Sequence, residues 1–148
     1  MLSQIKVIGF DADDTLWVNE PFFQNVEKEF CQIMSPYLIE KETSEELFKT
    51  EMQNLEIYGY GAKGFILAMI ETALRVTEGK ITSAEISRIL ETGKSLLLIP
   101  IQLLDGVENV FQKLQGRYKL ILATKGDLLD QEQKLQKSGL INYFILKL

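Results

Sequence analysis

Histidine is absent from this 148-residue chain. That absence excludes Ser-His-Asp and Cys-His catalysis, histidine-bearing zinc sites and an imidazole switch near neutral pH. Any metal must therefore be held mainly by oxygen. The one cysteine, Cys31, cannot close an intramolecular disulfide, which suits a reducing cytoplasm and leaves stability to packing. Basic charge is also short, with 16 Lys and Arg against 21 Asp and Glu and a formal charge of -5. No basic surface is available to dominate contacts with nucleic-acid phosphates, so neither DNA nor RNA is an expected partner. No purely apolar run approaches the roughly 20 residues of a membrane span, and Met1 to Lys6 does not begin a secretory leader. A cytoplasmic protein with no membrane partner is expected. What is present, 46% apolar and 25% charged residues, is the composition of a soluble domain able to bury a core, with room for an insertion.

Aspartate occurs only at 11, 13, 14, 105, 127 and 130, whereas 13 of the 15 glutamates fall between Asp14 and Asp105. Helices tolerate Glu better than Asp, so residues 19–99 read as a helical insertion. Residues 1–18 and 100–148 flank it. Phe22, Phe23, Val26, Phe30, Ile33, Met34 and Tyr37 mark one amphipathic helix face, with Asn19 as N-cap and Pro21 in the first turn. Thr43 with Glu46 forms a capping-box pattern before Leu47, Phe48, Met52 and Leu55. A third helix is expected from after Gly61 to Gly79. Thr82 with Glu85 forms a second capping box, with Ile81 and Ile86 placed as a hydrophobic staple, and Pro100 closes the insertion.

On either side the texture changes. Ile5 to Phe10 is an apolar, partly β-branched run that predicts a core strand, followed at once by Asp11-Ala12-Asp13-Asp14-Thr15. Tyr118 to Ala123 predicts a second strand, leading into Thr124-Lys125-Gly126-Asp127 and then a helix. Val107, Val110, Phe111 and Leu114 predict a helix between Gly106 and Gly116, and Tyr143 to Leu146 the start of a third strand. Strands alternating with helices favour a parallel sheet, in which ligands bind beyond the carboxyl ends of the strands. Asp11, Asp13 and Thr124 fall at such ends.

Three carboxylates within four positions repel one another and call for compensating charge, which magnesium supplies through oxygen ligands. With the charge offset, a carboxylate can attack phosphorus, and aspartate is a known nucleophile of this kind. For a bare acidic tripeptide a solvated turn or helix cap is the better explanation. The preceding buried strand and the following Thr15-Leu16 favour the chemical reading.

Ile8-Gly9-Phe10-Asp11-Ala12-Asp13-Asp14-Thr15-Leu16 resembles the first signature of the haloacid dehalogenase-like hydrolases, a strand followed by Asp-x-Asp-x-Thr-Leu. Leu120 to Thr124 is similar to their second signature, an apolar strand ending in Thr or Ser, and the insertion begins where that family places a helical cap. The resemblance implies an α/β fold, a Rossmann-like parallel sheet core, incomplete here, with an inserted helical cap. It implies a magnesium-dependent phosphohydrolase acting on a small phosphorylated metabolite. Asp11 would be the nucleophile and a magnesium ligand. Asp13 would be the general acid/base, with its main-chain carbonyl on the metal, and would mark a phosphatase rather than a dehalogenase. Thr15 would steady the turn. Thr124 would bind the phosphoryl oxygens, helped by the Lys125 backbone N–H at a helix N-terminus, and Gly126 would give the turn backbone freedom. A plain helix N-cap is the alternative for Thr124.

The family's third and fourth signatures, a lysine and further acidic residues, have no counterpart before Leu148. Lys147 falls in or beside the expected third strand, and Lys125 is the alternative cation. An incomplete magnesium shell predicts weak or no activity for the 148-residue chain, and an unpaired sheet edge predicts association into a homo-oligomer. Two other readings stay open: a catalytically silent or truncated binding module of the same fold, and a phospho-accepting receiver. The aspartate-free stretch 15–104 counts against the receiver.

Gly59-Tyr60-Gly61-Ala62-Lys63-Gly64 matches the dinucleotide glycine pattern, but it follows helical residues and lacks a βαβ context. It reads as a turn between cap helices, and the resemblance, in which such a cap loop can face the active site, implies Tyr60 and Lys63 as candidate substrate contacts. Gly93-Lys94-Ser95 lacks the earlier glycine of a phosphate-binding loop. Trp17 suits either packing or a substrate wall, and Cys31 a small buried hydrophobe.

Overall fold

Among the described residues, three strands and six helices form in the order strand, four helices, helix, strand, helix, strand. The computed structural model describes residues 4–147. The elements are β1 (Val7–Phe10), α1 (Glu20–Met34), α2 (Glu40–Tyr58), α3 (Ala62–Val76), α4 (Ser83–Leu98), α5 (Val107–Leu114), β2 (Lys119–Leu122), α6 (Leu128–Ser138) and, after a 3-10 turn at Ile141–Tyr143, β3 (Phe144–Lys147). The chain separates into two compact units: the described residues up to Glu20 together with those from Pro100 onward, and Pro21–Ile99.

The first unit is an α/β structure. Its sheet has the order β1-β2-β3 and is parallel throughout. Val7 pairs with Lys119 and Phe10 with Leu122, so β1 and β2 end level with each other. Parallel neighbours need a crossover connection, and α5 and α6 are the helices directly flanking β2 in sequence. Phe111 of α5 is fully buried and lies 4.8 Å from the Phe10 ring, 5.3 Å from Phe144 and 5.4 Å from Tyr143, centroid to centroid. Leu120, Leu122, Leu135, Leu140, Leu16 and Trp17 complete this core.

The expected core strand at 5–10 is shorter and wetter than the sequence suggests. It begins at Val7, and Ile5 and Val7 are each nearly half exposed. Exposure alternates along β1, with Val7 and Gly9 exposed and Ile8 and Phe10 half-buried, so one face of the strand packs on the core and the other is open.

The second unit is a helical layer built on Phe30, Met34, Leu47, Met69, Ile89 and Leu96, all buried. Gly93, inside α4, lets that helix approach α3: a β-carbon there would lie 2.5 Å from Ile66 Cγ1. The Thr82 capping box forms, with Glu85 N–H donating to Thr82 Oγ1 at 3.1 Å and Thr82 N–H to Glu85 Oε2 at 2.9 Å. The Thr82 N–H, with the Tyr37 hydroxyl at 2.7 Å, holds the Glu85 carboxyl below its ordinary value. The hydrogen bond to Glu85 pushes the Tyr37 hydroxyl up.

The other capping box does not form. α2 starts at Glu40, which puts Thr43 inside the helix, where its hydroxyl donates back to the Ile39 carbonyl at 3.0 Å. This is the usual alternative for a helical threonine. Glu46 instead ion-pairs with Lys49 and Arg75. Cys31 is buried, and burial pushes its thiol up.

Candidate active site

The acidic loop leaves β1 at its carboxyl end and turns sharply, with Thr15 and Leu16 N–H both donating to the Ala12 carbonyl. Asp11 is exposed, and its Oδ2 accepts from the Thr15 hydroxyl at 3.1 Å. Ala123 N–H donates to the Phe10 carbonyl at 2.9 Å, extending the β1-β2 pairing one residue beyond the strands. Asp11 and Thr124 therefore emerge from neighbouring strands at the same end of the sheet. Thr124 is half-buried and borders a small cavity of about 30 Å³ with Leu122, Leu128, Gln131 and Leu135.

Asp13 has a different environment. Its Oδ1 accepts from the Trp17 indole N–H at 2.8 Å and lies 3.2 Å from the Lys134 ammonium, while its Oδ2 accepts from the Gln131 amide at 2.8 Å. Both carboxylate oxygens are occupied. Lys134 is 5% exposed and is also held by Asn19 Oδ1 at 3.2 Å and Asp130 Oδ2 at 3.3 Å. A buried ammonium is costly unless its protons are met, and three oxygens meet them here. The charge that offsets Asp13 is thus a lysine from α6.

Asp14 has a third role. At φ 58° it occupies the left-handed region, which Asp tolerates better than most residues. Its carboxylate accepts from Asn19 N–H at 2.8 Å and Glu20 N–H at 3.0 Å. The α1 N-terminus is therefore capped by Asp14. Asn19, expected to be the cap, instead gives its side-chain oxygen to Lys134.

The loop after β2 also departs from expectation. α6 begins at Leu128, and its N-cap is Asp127, which accepts from Asp130 N–H at 3.0 Å. Thr124 is not the cap, and the exposed Lys125 lies before the helix, so its N–H is outside the first turn. Gly126 does not have positive φ; it is needed for space. A β-carbon there would stand 2.3 Å from Gln131 Nε2.

Trp17 is fully buried, which removes it as a substrate wall and makes it both a packing residue and a donor to Asp13. Tyr60 and Lys63 belong to the helical unit. Tyr60 is exposed and borders a cavity of about 60 Å³ with Tyr58, Gly59, Gly61, Gly64 and Phe65, and Lys63 is in the first turn of α3.

The oxygen donors suit a hard cation. The exposed Asp11 carboxylate is open to such an ion, whereas the Asp13 carboxylate is already engaged. Among the described residues no cluster of three acidic or other metal-binding side chains occurs. Magnesium commonly takes only one or two carboxylates and completes its shell with water and substrate phosphate, so this sparse set is compatible with it.

Sequence reading missed Gln131, Lys134 and Asp130. The available signal was their i, i+3 and i+4 spacing, which puts them on one helix face with Leu135. In a polar helix that face is not identifiable as the buried one until its partner is known.

A family model for haloacid dehalogenase-like hydrolases matches residues 5–148. No curated protein matches the chain significantly. Among solved structures, a haloacid dehalogenase-like family hydrolase from Xanthomonas campestris is 42% identical with a TM-score of 0.89, over 97% of this chain and 60% of its own. A HAD hydrolase from Bacillus subtilis bound to magnesium is 18% identical with a TM-score of 0.59, over 97% and 64%. An L-2-haloacid dehalogenase from Xanthobacter autotrophicus with chloropropionic acid covalently bound is 13% identical with a TM-score of 0.56, over 98% and 56%. The latter two share the fold. The chain spans less than two thirds of the length of each of these proteins.

Proposed function

Because the chain belongs to the haloacid dehalogenase-like hydrolases, we propose that its protein is a magnesium-dependent phosphohydrolase, acting on a small phosphorylated metabolite through an aspartyl-phosphate on Asp11. One observation carries this reading: the β1-β2 register sets a solvent-facing carboxylate and a threonine at adjoining strand ends, with a second carboxylate two residues on. Asp11, through its carboxylate, and Asp13, through its main-chain carbonyl, would hold the magnesium. When bound, the cation supplies positive charge that lets an anionic phosphoryl group approach an anionic nucleophile.

Asp11 attacks phosphorus while the bond to the leaving alcohol breaks. Asp13 passes a proton to that alcohol and then takes one from the water that cleaves the acyl phosphate, which returns Asp11 as a carboxylate and releases phosphate. The Thr124 hydroxyl donates to the phosphoryl oxygens and fixes their orientation. Asp13 favours this reading over carbon-halogen cleavage, because a halide leaves without needing a proton.

The test is phosphate release from p-nitrophenyl phosphate by the purified chain. The expected result is slow turnover that requires magnesium and disappears in Asp11→Asn. Turnover indifferent to magnesium or to Asp11→Asn overturns the reading, and turnover of 2-chloropropionate in place of the phosphate ester replaces it with dehalogenation.

A further inference from the structure

The polar face of α6 contains a cluster that the family signatures do not include. Asp130, Gln131 and Lys134 are all at least 95% buried, although such residues are rarely buried unless paired. Two of them converge on one carboxylate more than a hundred residues earlier in the chain: Gln131 Nε2 is 2.8 Å from Asp13 Oδ2, and Lys134 Nζ is 3.2 Å from Asp13 Oδ1. Lys134 is itself fixed by Asp130 and Asn19. The absence of a side chain at Gly126 leaves the space that the Gln131 amide fills. Its Oε1 is buried and has no hydrogen-bond partner among the described residues, so the amide accepts an unsatisfied acceptor while its N–H₂ faces Asp13.

From this geometry we propose that Gln131 and Lys134 are positioning residues for Asp13, holding its carboxylate in the orientation needed to receive the proton of the hydrolytic water. The inference rests on the phosphohydrolase reading above. Oδ1 already accepts from Trp17 and Lys134, whereas Oδ2 has the single donor Gln131 and keeps a lone pair for the proton. In that step the water oxygen bonds to phosphorus, the bond between phosphorus and the Asp11 carboxylate oxygen breaks to return the carboxylate, and the water proton moves to Asp13. Asp13 serves both halves of the reaction, and with p-nitrophenyl phosphate, whose phenolate departs without a proton, loss of the α6 donors falls on the second half. The helix that carries them follows directly from the Thr124 loop, which couples phosphoryl binding and proton acceptance through one element.

Lys134→Met, Lys134→Arg and Gln131→Leu test this on the full chain, with p-nitrophenyl phosphate and magnesium and with acid-quenched protein weighed by mass spectrometry. The expected result is that Lys134→Met and Gln131→Leu lower kcat by roughly tenfold to a hundredfold, lower KM with it, and accumulate the singly phosphorylated chain. Lys134→Arg recovers most of the loss. A second measurement needs neither metal nor turnover. Trp17 is the only tryptophan, so its indole N–H gives one resonance, and that resonance should move in the same direction in Lys134→Met, Gln131→Leu and Asp13→Asn.

Wild-type kinetics in both variants, a fall in kcat without accumulation of phosphorylated chain, or an indole resonance moved by Asp13→Asn alone would overturn the positioning role while leaving the phosphohydrolase intact. Absence of phosphorylated chain in every protein, with Asp11→Asn indistinguishable from wild type, would remove the underlying reading and this inference together.

Discussion

At the scale of single residues, the three neighbouring aspartates have separated roles although they share a charge and a loop. Asp11 faces solvent, Asp13 accepts hydrogen bonds through both carboxylate oxygens, and Asp14 caps a helix. The cap gives a local prediction. Asp14→Ala removes the acceptor for two orphan helix donors and places alanine at positive φ, at a cost of about 1–2 kcal/mol, whereas Asp14→Asn keeps most of the stability. Amide hydrogen exchange at Asn19 and Glu20 is the measurement, and it should accelerate in the alanine variant. Gly126→Ala makes a second prediction. Its β-carbon would overlap the Gln131 amide, so the amide must retreat from Asp13. The expected outcome is a displaced Trp17 indole resonance with little change in helix content by circular dichroism.

At the scale of elements, α4 and α6 illustrate what a sequence can and cannot reveal. The α4 start was legible because a capping box is written within four consecutive residues, Thr82 to Glu85, and the structure forms it. Its electrostatics give a pH dependence. The folded Glu85 carboxyl sits below its ordinary value of 4.5, chiefly because the Thr82 backbone N–H donates to it. Between the two values the unfolded chain binds more protons, so this contribution to stability is fully present above the ordinary value and is lost as pH falls through the lower folded one. Glu85→Gln should therefore flatten the acid limb of the helical unit's stability, followed by circular dichroism at 222 nm between about pH 5 and pH 2.

The Thr43-Glu46 pattern has the same spacing and no cap, because α2 began three residues earlier and its threonine bonded back along the helix. Local spacing shows a possible cap, and only the chain direction before it decides whether the helix has already started. The α6 face was less legible still. Asp13 and Lys134 are separated by 121 positions, and no local pattern in a polar helix identifies a partner at that distance. The acidic loop, the strand ends and the helical insertion were readable because each depends on neighbouring residues. The donor set around Asp13 depends on the tertiary fold.

At the scale of the whole molecule, the two units have separate cores that share no side chain. A large-to-small change in either should be felt mainly within its own unit. Phe111→Ala removes the ring around which Phe10, Tyr143 and Phe144 gather, and should destabilise the sheet unit by about 3–5 kcal/mol. Hydrogen exchange should quicken in β1, β2 and α6, with protection in α2 to α4 retained. Loss of protection in both units alike would show that they unfold as one cooperative body.

The pairing of Val7 with Lys119 also sets an order of events during synthesis. The first strand leaves the ribosome long before its partner exists, and at about 5–20 residues per second it waits several seconds or more for β2 to be translated. The intervening helices emerge complete in that interval, so the helical unit should acquire protease resistance on stalled nascent chains that end near residue 135, while the amino-terminal strand stays open to cleavage. The seed of the sheet is thus made long before the strand that secures it.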